Sequence, residues 1–345
     1  GIRAQPRSRG LGDVYKRQHI HGAAGVDTMD AKYDSLKKMA QFLSSKGVTS
    51  FLPTTVTSPL EDIFKALDAI RETMNKGTGF ARLLGAHLEG PYFSKEKAGA
   101  QDVRYLREPK LDEIKYILER YGEIIKRITL APELPGSIEA IRYIVSKGIL
   151  VAMGHTNATY EEAVKAINAG AKLANHIYNG MRKFHHRDPG ILGAVLTRDD
   201  VYAEIIIDNV HHHNAARKIV IRCKGTEKVA LISDSIMAAG LPDGEYTLGR
   251  QKIIIKEGVS RLPDGTIAGS TLTLDRAVRN TIEYLDVPLK EAVKMATFVP
   301  AQILGISDKL GMIREGYLAD IALLNPDLSV AMTIVGGTIV FKEEM

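Results

Sequence analysis

ILVAMGHTNATYEEAVKAINAGAKLANHIYNG, residues 149–180, holds one full unit of the pattern that organises this chain. The apolar run Ile149–Met153 reads as a buried strand. It ends in the polar group Gly154-His155-Thr156-Asn157. Ala163, Ala166 and Ile167 then share one helical face. A second short run, Lys172–Ala174, ends at Asn175-His176. Strand, polar end, helix and strand in that order form a parallel unit.

The same rhythm extends in both directions. Apolar runs lie at Val48–Leu52, Leu83–Leu88, Ile128–Ala131, Val201–Ile207 and Val229–Ile232, with an eighth, poorer candidate just before His19. Leu36, Met39, Ala40 and Leu43 share a helical face, as do Ile63, Ala66, Leu67 and Ile70. Eightfold alternation predicts an α/β fold, a (β/α)8 TIM-like barrel over residues 19–315. Within it, Glu245–Leu248 and Lys252–Lys256 predict a hairpin near 245–262, and Pro263-Asp264-Gly265 a turn. Helices are expected at Leu272–Leu285 and Leu289–Leu304. Residues 316–345 alternate as antiparallel strands, which implies a small β-sandwich domain, most of it absent from this chain.

Composition excludes several classes. Among 345 residues, 45% are hydrophobic and 25% charged, the balance of an ordinary folded protein. No run approaches the ~18 apolar residues of a membrane helix. Absence of Trp and 6% aromatics argue against a base-stacking nucleic-acid surface. The single cysteine, Cys223, cannot form an intrachain disulfide, so a cytoplasmic location is expected. In its helical stretch Cys223 reads as a small packed residue. The net charge of +5 is concentrated at the start, where Arg3, Arg7, Arg9, Lys16 and Arg17 face one acid, Asp13.

Chemistry gathers where the runs end. The polar ends are His19-Ile20-His21, His87-Leu88-Glu89, Gly154-His155, Asn175-His176, Asp208 with His211, and Ser233-Asp234-Ser235. In a barrel all these ends share one face, where active sites lie. Side-chain direction along a strand has period two, so His19 and His21 point the same way and suit one ion. Glu89 is placed to bridge to a second ion on His155 and His176. Asp234 is placed beside the activated water. Each histidine alone is an ordinary structural residue; their coincidence at successive strand ends argues for a divalent metal site. His212 and His213 are read as capping the next helix or facing solvent, and His185-His186 as loop.

At these residues the chain resembles the N-acetylglucosamine-6-phosphate deacetylases of the amidohydrolase superfamily. HIHGAAGVDTMDA (19–31), HLEGPYFSKEKAGAQ (87–101), GHTNATYEEA (154–163), NHIYNGM with HHRDPG (175–190) and DGTIAGSTLTL (264–274) carry the resemblance. It implies hydrolysis of the N-acetyl group of N-acetylglucosamine 6-phosphate to glucosamine 6-phosphate and acetate. By position, Glu89, His155 and His176 match the principal metal ligands, with His19 and His21 allowing a second ion; Zn2+ or Fe2+ is expected, one or two per subunit. Asp234 matches the acid/base and His211 the group that contacts the substrate carbonyl. Ala100, Gln101, Asn179, Gly180, Ile267, Ala268 and Gly269 match sugar-contacting positions. Arg187 matches the phosphate-binding residue, which the family supplies from the other subunit of a homodimer. Gln101 stands where other members carry His. Neither nucleic acid nor membrane is an expected partner.

The family places an apolar strand where Val14–Gln18 stands here. Residues 1–18 are therefore expected to be a non-family basic segment, foreign to the rest. Rival readings are an N-acetylgalactosamine-6-phosphate deacetylase, a dihydroorotase-like amidohydrolase, or an inactive truncated chain.

Overall fold

A computed structural model describes residues 11–13 and 15–344. Its frame is parallel β-structure alternating with helices in chain order. The strands are β1 (Tyr15–Ile20), β2 (Val48–Pro53), β3 (Ala86–Glu89), β4 (Ile125–Leu130), β5 (Leu150–Met153), β6 (Leu173–Ala174), β7 (Tyr202–Ile206) and β8 (Val229–Ile232). Six of them form one curled sheet, β8-β7-β6-β5-β4-β3, and β1, β2 and the short piece Arg82–Leu83 form another. Isolated parallel bridges join the two at both ends, Thr54 to His87 and Ile20 to Ser235.

Helices follow the strands: α1 (Tyr33–Ser44), α2 (Leu60–Lys76), α3 (Leu111–Tyr121), α4 (Ser137–Ser146), α5 (Tyr160–Asn168), α6 (Gly190–Thr197), α7 (Asn214–Lys224) and α8 (Leu274–Leu285). Their apolar stripes are the expected ones. Leu36, Met39, Ala40 and Leu43 of α1 are buried, as are Ala163, Ala166 and Ile167 of α5. Strands β2, β3 and β8 are buried along their whole length, on both faces, as helix-covered parallel strands must be.

Helix α5 shows how local sequence sets an element's start beside the site. Thr159 Oγ1 accepts from the Glu162 N–H at 3.2 Å, and the Glu162 carboxylate accepts from the Thr159 N–H at 2.8 Å. This capping box satisfies two donors that the first turn would otherwise leave unpaired. Thr159→Ala should cost about 1 kcal/mol of stability, while Thr159→Ser should cost little, as urea unfolding would measure.

Several expectations change in detail. The run Leu83–Leu88 is two pieces, because the chain steps sideways at Gly85 (φ +148); a Cβ there would lie 2.4 Å from the Ile124 carbonyl oxygen. The hairpin has three strands, β9 (Gly244–Leu248), β10 (Gln251–Lys256) and β11 (Val259–Arg261). The second C-terminal helix is two, α9 (Leu289–Ala296) and α10 (Phe298–Ile303). Pro300 lies four residues after Ala296, and its ring cannot coexist with a continuous helix there. Cys223 is exposed on α7 rather than packed. His212 is buried, neither capping nor facing solvent: its ring nitrogens lie 2.9 Å from the carbonyls of Ile206 and Ile177. His213 does cap α7.

The last strands, β12 (Ile321–Leu324), β13 (Val330–Val335) and β14 (Thr338–Lys342), form an antiparallel sheet with Leu11–Asp13 on its edge. The basic segment read as foreign thus holds strand positions at 11–13 and 15–18 despite its charge. Backbone pairing with a neighbouring strand does not depend on side-chain polarity. Residues 1–10 and 14 lie outside the described residues.

Candidate active site

The C-terminal ends of the parallel strands surround a cavity of about 230 Å3. His21 follows β1, Glu89 ends β3, His155 follows β5, His176 follows β6 and Asp234 follows β8. All five line the cavity, together with Ala100, Gln101, Asn179, Gly180, His211, Ile267 and Gly269. His19 lies just beneath, fully buried. Gly99, Leu248 and Thr266 also line it and were not singled out from sequence.

Two groups of three donors form here. His19, His21 and Asp234 make one, and Glu89, His155 and His176 the other; within each, the donor atoms lie within 4.8 Å of one another. Glu89 faces both. Its carboxylate oxygens are 3.2 Å from His19 Nε2, 3.0 Å from His21 Nε2 and 3.4 Å from His176 Nε2. Asp234 Oδ1 is 3.3 Å from Nε2 of both His19 and His21.

The imidazoles share one orientation. Nδ1 of His21 faces the Thr54 carbonyl at 3.3 Å, Nδ1 of His155 the Lys97 carbonyl at 3.1 Å, and Nδ1 of His176 the Asn179 carbonyl at 3.2 Å. A carbonyl only accepts, so each Nδ1 carries a proton and each Nε2 is the ring nitrogen turned inward. This is the arrangement of metal-ligating histidines. His155 and Asp234 hold left-handed backbone (φ +47 and +49), a strained conformation that clusters at functional sites. Gly180 keeps the space beside His155, since a Cβ there would lie 2.9 Å from Nδ1.

The electrostatics fit a divalent cation. Burial pushes the His19 pKa down, but Glu89 and Asp234 outweigh it and raise it to about 9. His21 is likewise raised. Burial pushes Asp234 up, and the imidazoles of His19 and His21 overcome this and hold it well below the usual carboxylate range. The carboxylates thus call for positive charge at this point. Asp234 Oδ1 and His19 Nε2 are buried 3.3 Å apart, with His19 Nε2 also 3.2 Å from Glu89, yet they form no hydrogen bond of good geometry, so they are placed to face a cation. Two carboxylates and four imidazoles, hard and borderline donors, suit a divalent metal ion.

Not every expected residue reaches the cavity. Ala268 packs its side chain with Val56, Ile236 and Ile253, and its N–H binds the Ser260 carbonyl at 3.1 Å. Arg187 is exposed outside the cavity, and its Nη1 lies 2.9 Å from His186 Nε2. Gln101 is held by protein: Oε1 accepts from the Thr57 N–H at 2.8 Å, and Nε2 donates to Glu89 at 3.2 Å.

Two residues gain meaning only here. Asp208 Oδ2 lies 2.6 Å from His211 Nδ1, which turns the other edge of that ring towards the cavity. The three-residue spacing was the only hint in the sequence. Asn175 donates from Nδ2 to Glu89 Oε1 at 2.8 Å. Its place beside the candidate ligand His176 was its only signal.

Comparison with known proteins agrees with this geometry. The amidohydrolase family model matches residues 18–340. The N-acetylglucosamine-6-phosphate deacetylase of Vibrio furnissii is 42% identical over 94% of this chain and 81% of its own length. The N-acetylgalactosamine-6-phosphate deacetylase of Escherichia coli O157:H7 is 40% identical over 94% of this chain and 86% of its own. The crystal structure of N-acetylglucosamine-6-phosphate deacetylase from Thermotoga maritima superposes with a TM-score of 0.92 at 40% identity, covering 99% of this chain and 91% of that one. With its donor groups at the strand ends and these relatives along nearly its whole length, the chain belongs to the amidohydrolase family, in its N-acetylglucosamine-6-phosphate deacetylase branch.

Proposed function

We propose that the protein hydrolyses the N-acetyl group of N-acetylglucosamine 6-phosphate, releasing acetate and glucosamine 6-phosphate, with a divalent metal at its strand-end donors. The convergence of Glu89, His155 and His176 with His19, His21 and Asp234 around one cavity carries this reading. It is supported by the names of the Vibrio and Thermotoga relatives. The Escherichia relative favours a second reading, the galactosamine epimer.

We read the two parallel sheets as one (β/α)8 barrel over residues 19–315. The bridges at Thr54–His87 and Ile20–Ser235 support that closure. Residues 316–345 then supply strands of a small β domain. No helix among the described residues is long and apolar enough to cross a membrane, and a cytoplasmic location suits the single thiol.

One or two ions, Zn2+ or Fe2+, would be held by Glu89, His155 and His176 and by His19 and His21. Bound there, a divalent cation supplies Lewis acidity and a water nucleophile at neutral pH. Asp234 takes a proton from the attacking water and later delivers it to the leaving nitrogen. His211, oriented by Asp208, faces the acetyl oxygen and stabilises the charge that develops there. Asn179 and the backbone at Ile267 and Gly269 offer groups for the sugar.

Arg187, outside its own cavity, reads the 6-phosphate of the other subunit in a homodimer. Its exposure and its absence from the lining of the local cavity support a role across an interface. Guanidinium–phosphate hydrogen bonds contribute about 1.5–3 kcal/mol each, and 1.4 kcal/mol is a factor of ten. Acetate release should be measured with N-acetylglucosamine and N-acetylgalactosamine, each with and without 6-phosphate, alongside metal analysis. The glucosamine 6-phosphate derivative should be the best substrate. Arg187→Ala should raise its KM at least about tenfold while barely changing activity on the unphosphorylated sugar. Equal losses on both would remove Arg187 from phosphate recognition, and a preference for unphosphorylated sugars would overturn the substrate.

A further inference from the structure

Beneath the candidate site, inside the curled sheet, lies a charged layer that hydrolysis does not use. Arg127 on β4 and Glu204 on β7 are both fully buried. The guanidinium grips the carboxylate through two bonds, Nη1 to Oε1 and Nη2 to Oε2, the second at 2.7 Å. Nη2 also donates to Asn175 Oδ1, which accepts a further bond from Thr129 Oγ1 at 3.2 Å.

Each arm of this layer reaches upward to a different donor. Arg127 only donates, so the Asn175 amide must turn its oxygen down and its Nδ2 up. That Nδ2 donates to Glu89 Oε1 at 2.8 Å. Glu204 Oε2 stands 3.5 Å from His19 Nδ1, on the ring edge opposite Nε2. His21, His155 and His176 have backbone carbonyls at Nδ1. His19 has a carboxylate there, itself locked by Arg127. A buried ion pair is commonly no more stabilising than well-packed apolar side chains, so stability alone does not call for one here.

We propose that Arg127, Glu204 and Asn175 are positioning residues that orient His19 and Glu89 and so govern divalent-metal affinity. The proposal rests on the reading of His19 and Glu89 as metal ligands. It explains why three polar side chains from β4, β7 and the end of β6 meet in the interior. It also assigns a role to Asn175 distinct from that of its neighbour His176.

The test measures metal binding rather than turnover. The double variant Arg127→Met with Glu204→Leu removes both charges together and leaves neither one unpaired. The full chain, stripped of metal, is titrated with Zn2+ and, for its visible spectrum, Co2+. Its thermal midpoint is measured without metal. We expect a midpoint within a few degrees of wild type, Kd weakened about 10–100-fold and an altered Co2+ spectrum, the usual consequence of losing a ligand's outer partner. Asn175→Ala, which removes only the amide, should also weaken binding and keeps the test decisive if the double variant does not fold. Wild-type affinity and spectrum in the folded variants would overturn the positioning layer alone. A wild-type chain that takes up neither cation would overturn the metal reading itself, and this proposal with it.

Discussion

Asp234→Asn should lower kcat by about 10²–10⁴-fold, the usual worth of a positioned acid/base. The substitution keeps the shape of the side chain and removes its ability to take a proton. Neighbouring imidazoles outweigh burial and hold this carboxyl well below the ordinary range, so it is ionised at neutral pH, as a proton acceptor must be. Its left-handed backbone at φ +49 is accessible to Asn as well as Asp, so the main chain should survive the change. Glu89, His155 and His176 remain, and metal content should be largely retained. KM should move far less than kcat, because the lost proton transfer belongs to the transition state. Near-normal turnover with full metal content would remove Asp234 from the reaction.

Glu89→Gln should have the other large effect, on metal as well as rate. Glu89 is the carboxylate that faces both donor groups, with oxygens 3.0 to 3.4 Å from His19, His21 and His176. Gln keeps one carbonyl oxygen but loses the charge that offsets a divalent cation. Metal affinity should fall by at least about tenfold, since even outer partners of a ligand are worth 10–100-fold. Turnover should drop to background at equal total metal. Removing metal from the wild-type chain with a chelator should reproduce the loss of activity. It should also lower stability, by about 2.7 kcal/mol if the loaded protein is compared at 100 times its Kd. Zinc content and activity both at wild-type levels in Glu89→Gln would show that the carboxylate does not ligate.

The legible part of the site was the part set by position along a strand. His21, Glu89, His155, His176 and Asp234 each sit at or just past the end of an apolar run, and in parallel units those ends face one way. Arg127 was harder to see. The apolar run read from sequence begins at Ile128, yet β4 begins at Ile125 and carries the arginine within it. A lone charge inside a strand reads as a boundary unless its partner is known. The partner, Glu204, is 77 residues away in sequence. Ala268 shows the reverse case, where a matching segment does not tell which way its groups face. It belongs to a matching segment, but its side chain and its N–H both turn into the hairpin rather than the cavity.

By itself the amino-acid order determined the parallel alternation, the helical faces and the list of candidate metal-ligating side chains. These follow from periodicity and from residue type, which are local properties. Tertiary structure alone decided which ring nitrogen each histidine presents, that Asp208 turns His211, that Gln101 and Asn175 hold Glu89, and that Arg187 stands outside its own cavity. The physical reason is that hydrogen-bond partners and side-chain facing depend on chain segments brought together from far apart. Thr54 meets His21, Lys97 meets His155, and Glu204 meets His19 only once the strands are packed side by side.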